Sequence, residues 1–233
     1  MPDRRHFITA GLLTLVIPNI LCTVRAAQDD PADVPSSALS SPANDDGTRI
    51  LVIGDSLSAE YGLPKGSGWV SQIARRLHDH GTGYQIHNSS ISGDTTSGGI
   101  SRLPTELKRY QPAVVIIELG SNDALRGLSL DMTRKNLAQM ITWCQDSGAR
   151  VILIGMQIPP NYGKRYADQF ADMFPELASA YDTALVPFLF DGFAADQQMF
   201  QGDAIHPNEA GQKIMAQTVW KQLAPLLLEL TTQ

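Results

Sequence analysis

The fold is decided by the stretch Arg49-Ile-Leu-Val-Ile-Gly-Asp-Ser-Leu-Ser58, in which an apolar, β-branched run stops abruptly at small and polar residues. The run from Ile50 to Ile53 predicts a buried strand, and Gly54 predicts the turn at its end. Ligands of open α/β sheets bind beyond the carboxyl ends of the strands, so Ser56 is the candidate nucleophile. The alternative at this point is that Asp55 or Ser56 only caps the next helix.

Strands and helices alternate along the rest of the chain. Apolar runs predict strands at 84–88, 113–119, 150–154 and 184–186, and residues at helical spacing fill the segments between them. Pro104 is expected to distort or restart the second helix. Alternation of this kind implies parallel pairing with right-handed crossovers. The sequence therefore predicts a three-layer α/β/α sandwich around a parallel sheet of about five strands.

The first 26 residues have the pattern of an export signal peptide. Arg4-Arg5 precedes an apolar run from Phe7 to Cys22, and small residues follow at a cleavage site after Ala26. The paired arginines also resemble the twin-arginine signal. A membrane anchor and a lipoprotein processed at Cys22 are alternatives, although the run is shorter than the ~20 residues that a span needs. We therefore expect a periplasmic or secreted protein with at most peripheral membrane contact.

The composition of the remaining chain sets the domain boundaries and excludes one class of partner. Residues 27–48 are rich in Asp, Pro, Ser and Ala, which predicts a flexible linker before a single domain at 49–233. The formal net charge of −6 at pH 7, without a basic cluster, argues against a nucleic-acid partner. Once the signal is removed, Cys144 is the one cysteine left, and its apolar helical face predicts a buried, unreactive thiol.

Polar residues near the carboxyl end complete the chemistry that Ser56 would need. Asp203 and His206 are three residues apart in a loop before the last helix. A serine hydroxyl requires a base, and histidine serves best when an acidic residue fixes its tautomer. The loops after the second and third strands offer the N–H of Gly93 and the amide of Asn122 as oxyanion donors, with the N–H of Ser56 as a third.

The sequence contains four short blocks, in the order Gly54-Asp55-Ser56-Leu57-Ser58, Ser92-Gly93-Asp94, Gly120-Ser121-Asn122-Asp123 and Asp203-Ala204-Ile205-His206-Pro207. These blocks make the sequence resemble the SGNH (GDSL-type) hydrolases. Within that family it is most similar to the bacterial periplasmic thioesterase/protease/lysophospholipase and arylesterase subgroup, from Arg49 to Leu227. The G-x-S-x-G elbow of the α/β-hydrolases is absent around Ser56.

The resemblance implies a flavodoxin-like fold and a role for each matching residue. Ser56 would be the nucleophile, His206 the base and Asp203 its orienter, with Ser56, Gly93 and Asn122 as oxyanion donors. Acyl esters would be the substrates, including arylesters, lysophospholipids and acyl thioesters, and a monomer without a cofactor is expected. The chain departs from the subgroup at Glu60, where Gly is usual, and at Ser121, where Gly commonly precedes the Asn.

Further candidates flank the same edge of the predicted sheet. An acyl groove could be lined by six of them, for which ordinary packing is the alternative: Tyr61, Leu63, Met156, Ile158, Pro159 and Tyr162. The acidic residues Asp55, Asp94 and Asp123 are expected to hold loops by accepting backbone N–H bonds. No metal site is expected, because no His/Asp cluster has ligand spacing.

Two other functions remain open at this point. A carbohydrate deacetylase would use the same four blocks on a related scaffold. A catalytically silent binding module of the cell envelope would keep the fold without the reaction. The apolar stretch 220–230 could touch a membrane, but core packing of a final helix is the simpler interpretation.

Overall fold

The computed structural model describes residues 48–231, so the predicted signal peptide and nearly all of the predicted linker lie outside the described residues. Five strands form one sheet in the order β2-β1-β3-β4-β5, and every pair is parallel. The strands are β1 Thr48–Gly54, β2 Tyr84–Asn88, β3 Val114–Glu118, β4 Arg150–Ile154 and β5 Ala184–Val186. The predicted parallel five-stranded sheet is confirmed.

Helices cover both faces of this sheet. They are α1 Trp69–Asp79, α2 Thr96–Tyr110, α3 Ser121–Leu125, α4 Leu130–Asp146, α5 Lys164–Ala180 and α6 Glu209–Thr231. Single 3₁₀ turns occur at Pro160–Tyr162 and Gln197–Met199. α1 packs against α6, while α4 packs against both α2 and α5. Because right-handed crossovers change face where the strand order reverses, these two groups form the outer layers of an α/β/α sandwich.

The central strands β1 and β3 form the middle of the core. From Ile50 onward β1 is buried, and all five residues of β3 are buried. Their unbroken apolar runs fit strands covered on both faces. Cys144 is buried in α4, and burial raises the pKa of its thiol to about 12, as expected for an unreactive cysteine.

Packing against the core explains two features of the helices, the continuity of α2 through Pro104 and the burial of leucines in α6. α2 continues from Thr96 to Tyr110 through Pro104, so the predicted restart at Pro104 is wrong. Pro104 is exposed, where water can satisfy the carbonyl that loses its partner, while Leu103 and Leu107 anchor the opposite side. In α6, three leucines of the 220–230 stretch are buried in the core. Within 48–231 the structure contains no helix whose length and apolar character would suit a membrane span.

The strand order also places the functional loops. The chain moves from β1 to β2 on one side and returns to β3 on the other, so the order reverses between β1 and β3. Crevices at such switch points, beyond the carboxyl ends of the strands, are where open α/β sheets bind ligands. The loops that follow β1, β2 and β3 therefore meet at this crevice.

Candidate active site

The turn after β1 presents Ser56 at the crevice. The N–H of Leu57 donates to Asp55 Oδ1 at 3.0 Å, and the N–H of Ala59 donates to the Asp55 carbonyl at 3.0 Å. These bonds fold the chain sharply behind the half-buried Ser56. The next helix starts only at Trp69, so neither Asp55 nor Ser56 caps it.

A second loop brings Asp203 and His206 to the same serine. Asp203 Oδ1 accepts the N–H groups of Ile205 at 2.9 Å and of His206 at 3.0 Å, and Oδ2 lies 2.6 Å from His206 Nδ1. His206 Nε2 lies 2.8 Å from Ser56 Oγ. With Nδ1–H donating to the carboxylate, Nε2 is left as an acceptor for the serine proton. The structure thus joins three residues that lie up to 150 positions apart in the sequence.

The charge of Asp203 is stabilised by its own loop. Partial burial alone would raise the pKa of this carboxyl. The backbone N–H groups of His206 and Ile205 and the imidazole of His206 outweigh burial and lower the pKa of Asp203 to about 2. The carboxylate therefore stays ionised at neutral pH and can hold the imidazole in one tautomer.

The three predicted oxyanion donors come from three loops. Neither the N–H of Ser56 nor that of Gly93 donates a hydrogen bond within residues 48–231. Gly93 has a φ of +79°, and Arg126 Nη2 donates to its carbonyl at 2.8 Å, which holds the following peptide, between Gly93 and Asp94. Asn122 uses one hydrogen of Nδ2 to bind Asp55 Oδ2 at 2.8 Å, so its second amide hydrogen remains available.

The acidic residues of the second and third blocks bind neighbouring loops. Asp94 Oδ1 accepts the N–H of Thr95 at 3.0 Å, and its Oδ2 accepts from Arg102 Nε at 2.9 Å. Asp123 accepts both the N–H and the hydroxyl of Thr96, at 2.9 and 2.5 Å. Within 48–231, no group of three or more His, Cys, Asp or Glu residues is arranged to hold a metal ion.

The sequence pattern of the GDSL-like Lipase/Acylhydrolase family matches residues 52–214. The chain belongs to this family. It is 47% identical over 178 residues to the esterase TesA of Pseudomonas aeruginosa, covering 76% of this chain and 89% of that protein. It is 37% identical over 178 residues to the thioesterase 1/protease 1/lysophospholipase L1 of Escherichia coli (strain K12), covering 76% of this chain and 84% of that protein. A crystal structure of TesA matches with a TM-score of 0.74 at 46% identity, covering 77% of this chain and 99% of that one.

Membership of the GDSL-like family confirms the resemblance found in the sequence and the class of enzyme that it implied. The chain is an ester hydrolase of this family. The four sequence blocks of the family all lie at the crevice edge of the sheet or in the loop that reaches it.

Glu60, where the resemblance led us to expect Gly, organises the loop that follows it. Glu60 adopts a φ of +58°, a conformation that Gly adopts without strain. Its carboxylate accepts the N–H groups of Gly66 and Gly68, both at 2.9 Å, and the hydroxyl of Ser71 at 2.7 Å. These hydrogen bonds lower the pKa of Glu60 against the opposing effect of burial. The carboxylate thus closes the loop 60–68 and offsets its backbone strain.

Tyr61, in the same loop, is the groove candidate that the structure places against the loop that carries His206. Its ring centroid lies 4.5 Å from that of His206, and its side chain is half exposed at 51%. Gln201 Nε2 donates to the Tyr61 carbonyl at 2.9 Å, which ties the loop 60–68 to the segment that carries His206. Tyr61 therefore forms a wall beside the imidazole.

The other five groove candidates occupy different environments. Met156 and Ile158 are buried in the core at 6% and 8% exposure, where packing accounts for them. Leu63 is half-buried, whereas Pro159 and Tyr162 are exposed on the surface. These positions leave the two exposed residues and Leu63 available to contact an acyl chain.

Two residues of the site were missed in the sequence because their roles depend on distant contacts. Arg102, in α2, donates to the carbonyls of Ser89 and Gly54 besides its ion pair with Asp94, so it ties the loop after β2 to the end of β1. Glu118, at the end of β3, lies beneath the turn that carries Ser56, with 1% of its surface exposed. Its position inside an apolar strand was the available signal, since buried carboxyl groups need a specific reason.

Proposed function

We propose that this protein is an exported serine hydrolase that cleaves acyl esters through an acyl-enzyme on Ser56. The observation that carries the proposal is the continuous chain of hydrogen bonds from Asp203 through His206 to Ser56 Oγ. Export rests on the basic and apolar pattern of residues 1–26. Amino-terminal sequencing of the purified envelope protein checks this part, because a cleaved chain would begin near Ala27.

The proposed reaction has two halves, formation of the acyl-enzyme and its hydrolysis. His206 Nε2 takes the proton of Ser56 as Oγ attacks the ester carbonyl, and the imidazolium formed is held by Asp203. The N–H groups of Ser56 and Gly93 and the free amide hydrogen of Asn122 stabilise the oxyanion. His206 then protonates the leaving alcohol or thiol, which leaves the acyl group on Ser56. In the second half water replaces the leaving group, and the acid and the free serine are released.

The substrates proposed are arylesters, lysophospholipids and acyl thioesters. The family description names lipases and acylhydrolases, and the relatives named above are an esterase and a thioesterase/lysophospholipase. The half-exposed ring of Tyr61 beside His206 supports contact with a flat or apolar group near the scissile bond. The small-molecule ester is the only partner that this mechanism requires.

Asn122→Ala is expected to lower kcat by about 10²- to 10³-fold with little change in KM, because an oxyanion donor acts mainly in the transition state. The measurement is the steady-state hydrolysis of one p-nitrophenyl ester. Asn136→Ala is the matched control, since Asn136 is also half-buried but bonds to Thr96 and Ser97. Full kcat in the folded Asn122→Ala variant would remove this role.

Asp203→Asn is expected to lower kcat by about 10⁴-fold, because the amide no longer fixes the required imidazole tautomer. Since the pKa of Asp203 is lowered to about 2, its carboxylate is ionised above that pH and is lost only as the pH falls through this value. The wild-type pH–rate profile should therefore show no acidic limb from Asp203 in the weakly acidic range. The exposed Asp191→Asn serves as control, and a loss of less than tenfold in Asp203→Asn would contradict the assignment.

A further inference from the structure

Two carboxyl groups are buried side by side beneath the nucleophile turn. Asp55 and Glu118 are each 1% exposed, and the pairing of β1 with β3 places Gly54 opposite Glu118. A Cβ at Gly54 would lie only 2.8 Å from Ser58 Oγ and 2.9 Å from Glu118 Oε2, so the carboxyl of Glu118 occupies the space that a side chain would need. None of the ion pairs within residues 48–231 includes either carboxyl.

The two carboxyl groups have different sets of hydrogen-bond donors. Asp55 accepts from the N–H of Leu57 at 3.0 Å through Oδ1 and from Asn122 Nδ2 at 2.8 Å through Oδ2. Glu118 Oε2 accepts from Ser58 Oγ at 2.8 Å and from the N–H of Asp55 at 3.3 Å. Glu118 Oε1 has no hydrogen-bond partner among the described residues. Donors thus surround Asp55 on both oxygens but reach only one oxygen of Glu118.

Because their surroundings differ, the two carboxyl groups have different charge states. Two adjacent buried carboxylates repel each other, so one of them keeps its proton at neutral pH. The groups that face the pair are the Arg102 guanidinium, which donates to the Gly54 carbonyl at 3.3 Å, and the imidazole of His206. Neither gives Glu118 a cationic partner, whereas His206, when it is protonated, favours the charged form of Asp55.

We propose that Glu118 is a positioning residue that acts as a neutral acid, supporting Asp55 as the one charged carboxyl that fixes the amide of Asn122 for the oxyanion. The inference rests on the proposed function, because the oxyanion belongs to the acyl transfer on Ser56. Burial of Glu118, together with the neighbouring charge of Asp55, raises the pKa of Glu118 well above its ordinary value. Burial also raises the pKa of Asp55, to about 6, although the hydrogen bonds from the N–H of Leu57 and the amide of Asn122 lower it.

The Asp55–Glu118 pair lies close to the proposed oxyanion, and this position is the reason why only one of the two carboxyl groups should be charged. An amide side chain can turn about its last bond, so Asn122 needs a fixed acceptor to aim its second N–H at the oxyanion. A charged acceptor holds the amide more firmly than a neutral one. A second negative charge in the same buried region would repel the oxyanion in the transition state. The neutral acid at Glu118 therefore supports the anchor without adding charge.

The kinetic test compares Glu118→Gln with Glu118→Ala. The Gln side chain is neutral and nearly isosteric, so Glu118→Gln should keep kcat within about tenfold, less than the loss of one oxyanion donor. Glu118→Ala should lower kcat toward the value of Asn122→Ala with KM unchanged. In the Asn122→Ala background, Glu118→Ala should cost no further kcat. Equal losses in both Glu118 variants, a change in KM alone, or additive losses would overturn the proposal.

A second measurement decides the inference even if Glu118→Ala fails to fold or the wild-type protein hydrolyses no ester. The infrared spectrum of the wild-type protein at neutral pH should contain the carbonyl band of a protonated carboxylic acid that Glu118→Gln removes. In NMR spectra, the side-chain amide of Asn122, assigned by its loss in Asn122→Ala, should be the same in Glu118→Gln as in the wild type. Absence of the acid band, or a shifted amide in Glu118→Gln, would overturn the inference, whereas inactive wild-type protein with both signals present would overturn only the proposed function.

Discussion

Ser56→Ala is expected to lower kcat for acyl ester hydrolysis by about 10⁶-fold, the size of loss seen when a serine nucleophile is removed from such a triad. The substitution removes the Oγ that lies 2.8 Å from His206 Nε2 and leaves no atom that can hold the acyl group. Water would then have to attack the ester directly, without the covalent intermediate. The measurement is the hydrolysis of p-nitrophenyl esters from acetate to palmitate, which also locates the chain-length optimum.

Ser179→Ala is the matched control for this experiment, because Ser179 is an exposed serine in α5, far along the chain from the four blocks. An organophosphate should label Ser56 in the wild-type protein and in Ser179→Ala, as mass spectrometry of the digested protein would show. If Ser56→Ala kept its turnover, or if the label appeared on another serine in that variant, Ser56 would not be the nucleophile. Wild-type activity on acetylated polysaccharide alone would favour the deacetylase, and no activity on either substrate would favour the silent module.

The fold was predictable because its strands are short apolar runs that end abruptly. The predicted strands 84–88, 150–154 and 184–186 match the structure, and the predicted run 113–119 exceeds β3 by one residue at each end. The helix α3 was missed because Ser121–Leu125 is too short for any periodicity to be visible. At Pro104, burial of the helix face prevailed over local preference, a balance that the sequence does not reveal.

The sequence indicated the residues of the candidate site but not the residues that hold them in place, which we call its supports. Ser56, Asp203 and His206 were recognisable because each residue type suits one step of a known chemistry. The residues that hold them in place act through contacts between distant segments. Glu118 meets Asp55 across 63 positions, and no pattern around either residue indicates the pairing. Such supports become visible only when the sheet brings β1 and β3 together.

Glu60 shows how a departure from a family pattern can be compensated locally. Glu60 has a positive φ, a conformation that Gly adopts without strain, so the expectation of Gly at this position has a physical reason. Here the carboxylate binds two backbone N–H groups and Ser71, so the same backbone conformation is kept by hydrogen bonds. The consequence is a loop that holds Tyr61 beside His206, which links this departure to the wall of the active site.

His206→Ala is expected to cost as much kcat as Ser56→Ala, and the double variant should cost no more than either single one. The reason is that the two side chains perform one step together. Without the imidazole, Ser56 keeps its proton and is a weak nucleophile, and without the hydroxyl, the imidazole has no proton to take. A loss of about 10⁶-fold in each single variant, with no larger loss in the double variant, would therefore show that Ser56 and His206 work as a unit.

The measurement is kcat for one p-nitrophenyl ester in the two single variants and the double variant. His78→Ala is the control, because the side chain of His78 is exposed on α1, where its Nδ1 lies 3.4 Å from Asp79 Oδ1. If the losses of the single variants multiplied in the double variant, Ser56 and His206 would be acting independently, and the 2.8 Å contact between them would have to be explained by structure alone. Residual turnover in the double variant should still depend on Asn122, since the oxyanion donors remain in place when the nucleophile and base are gone.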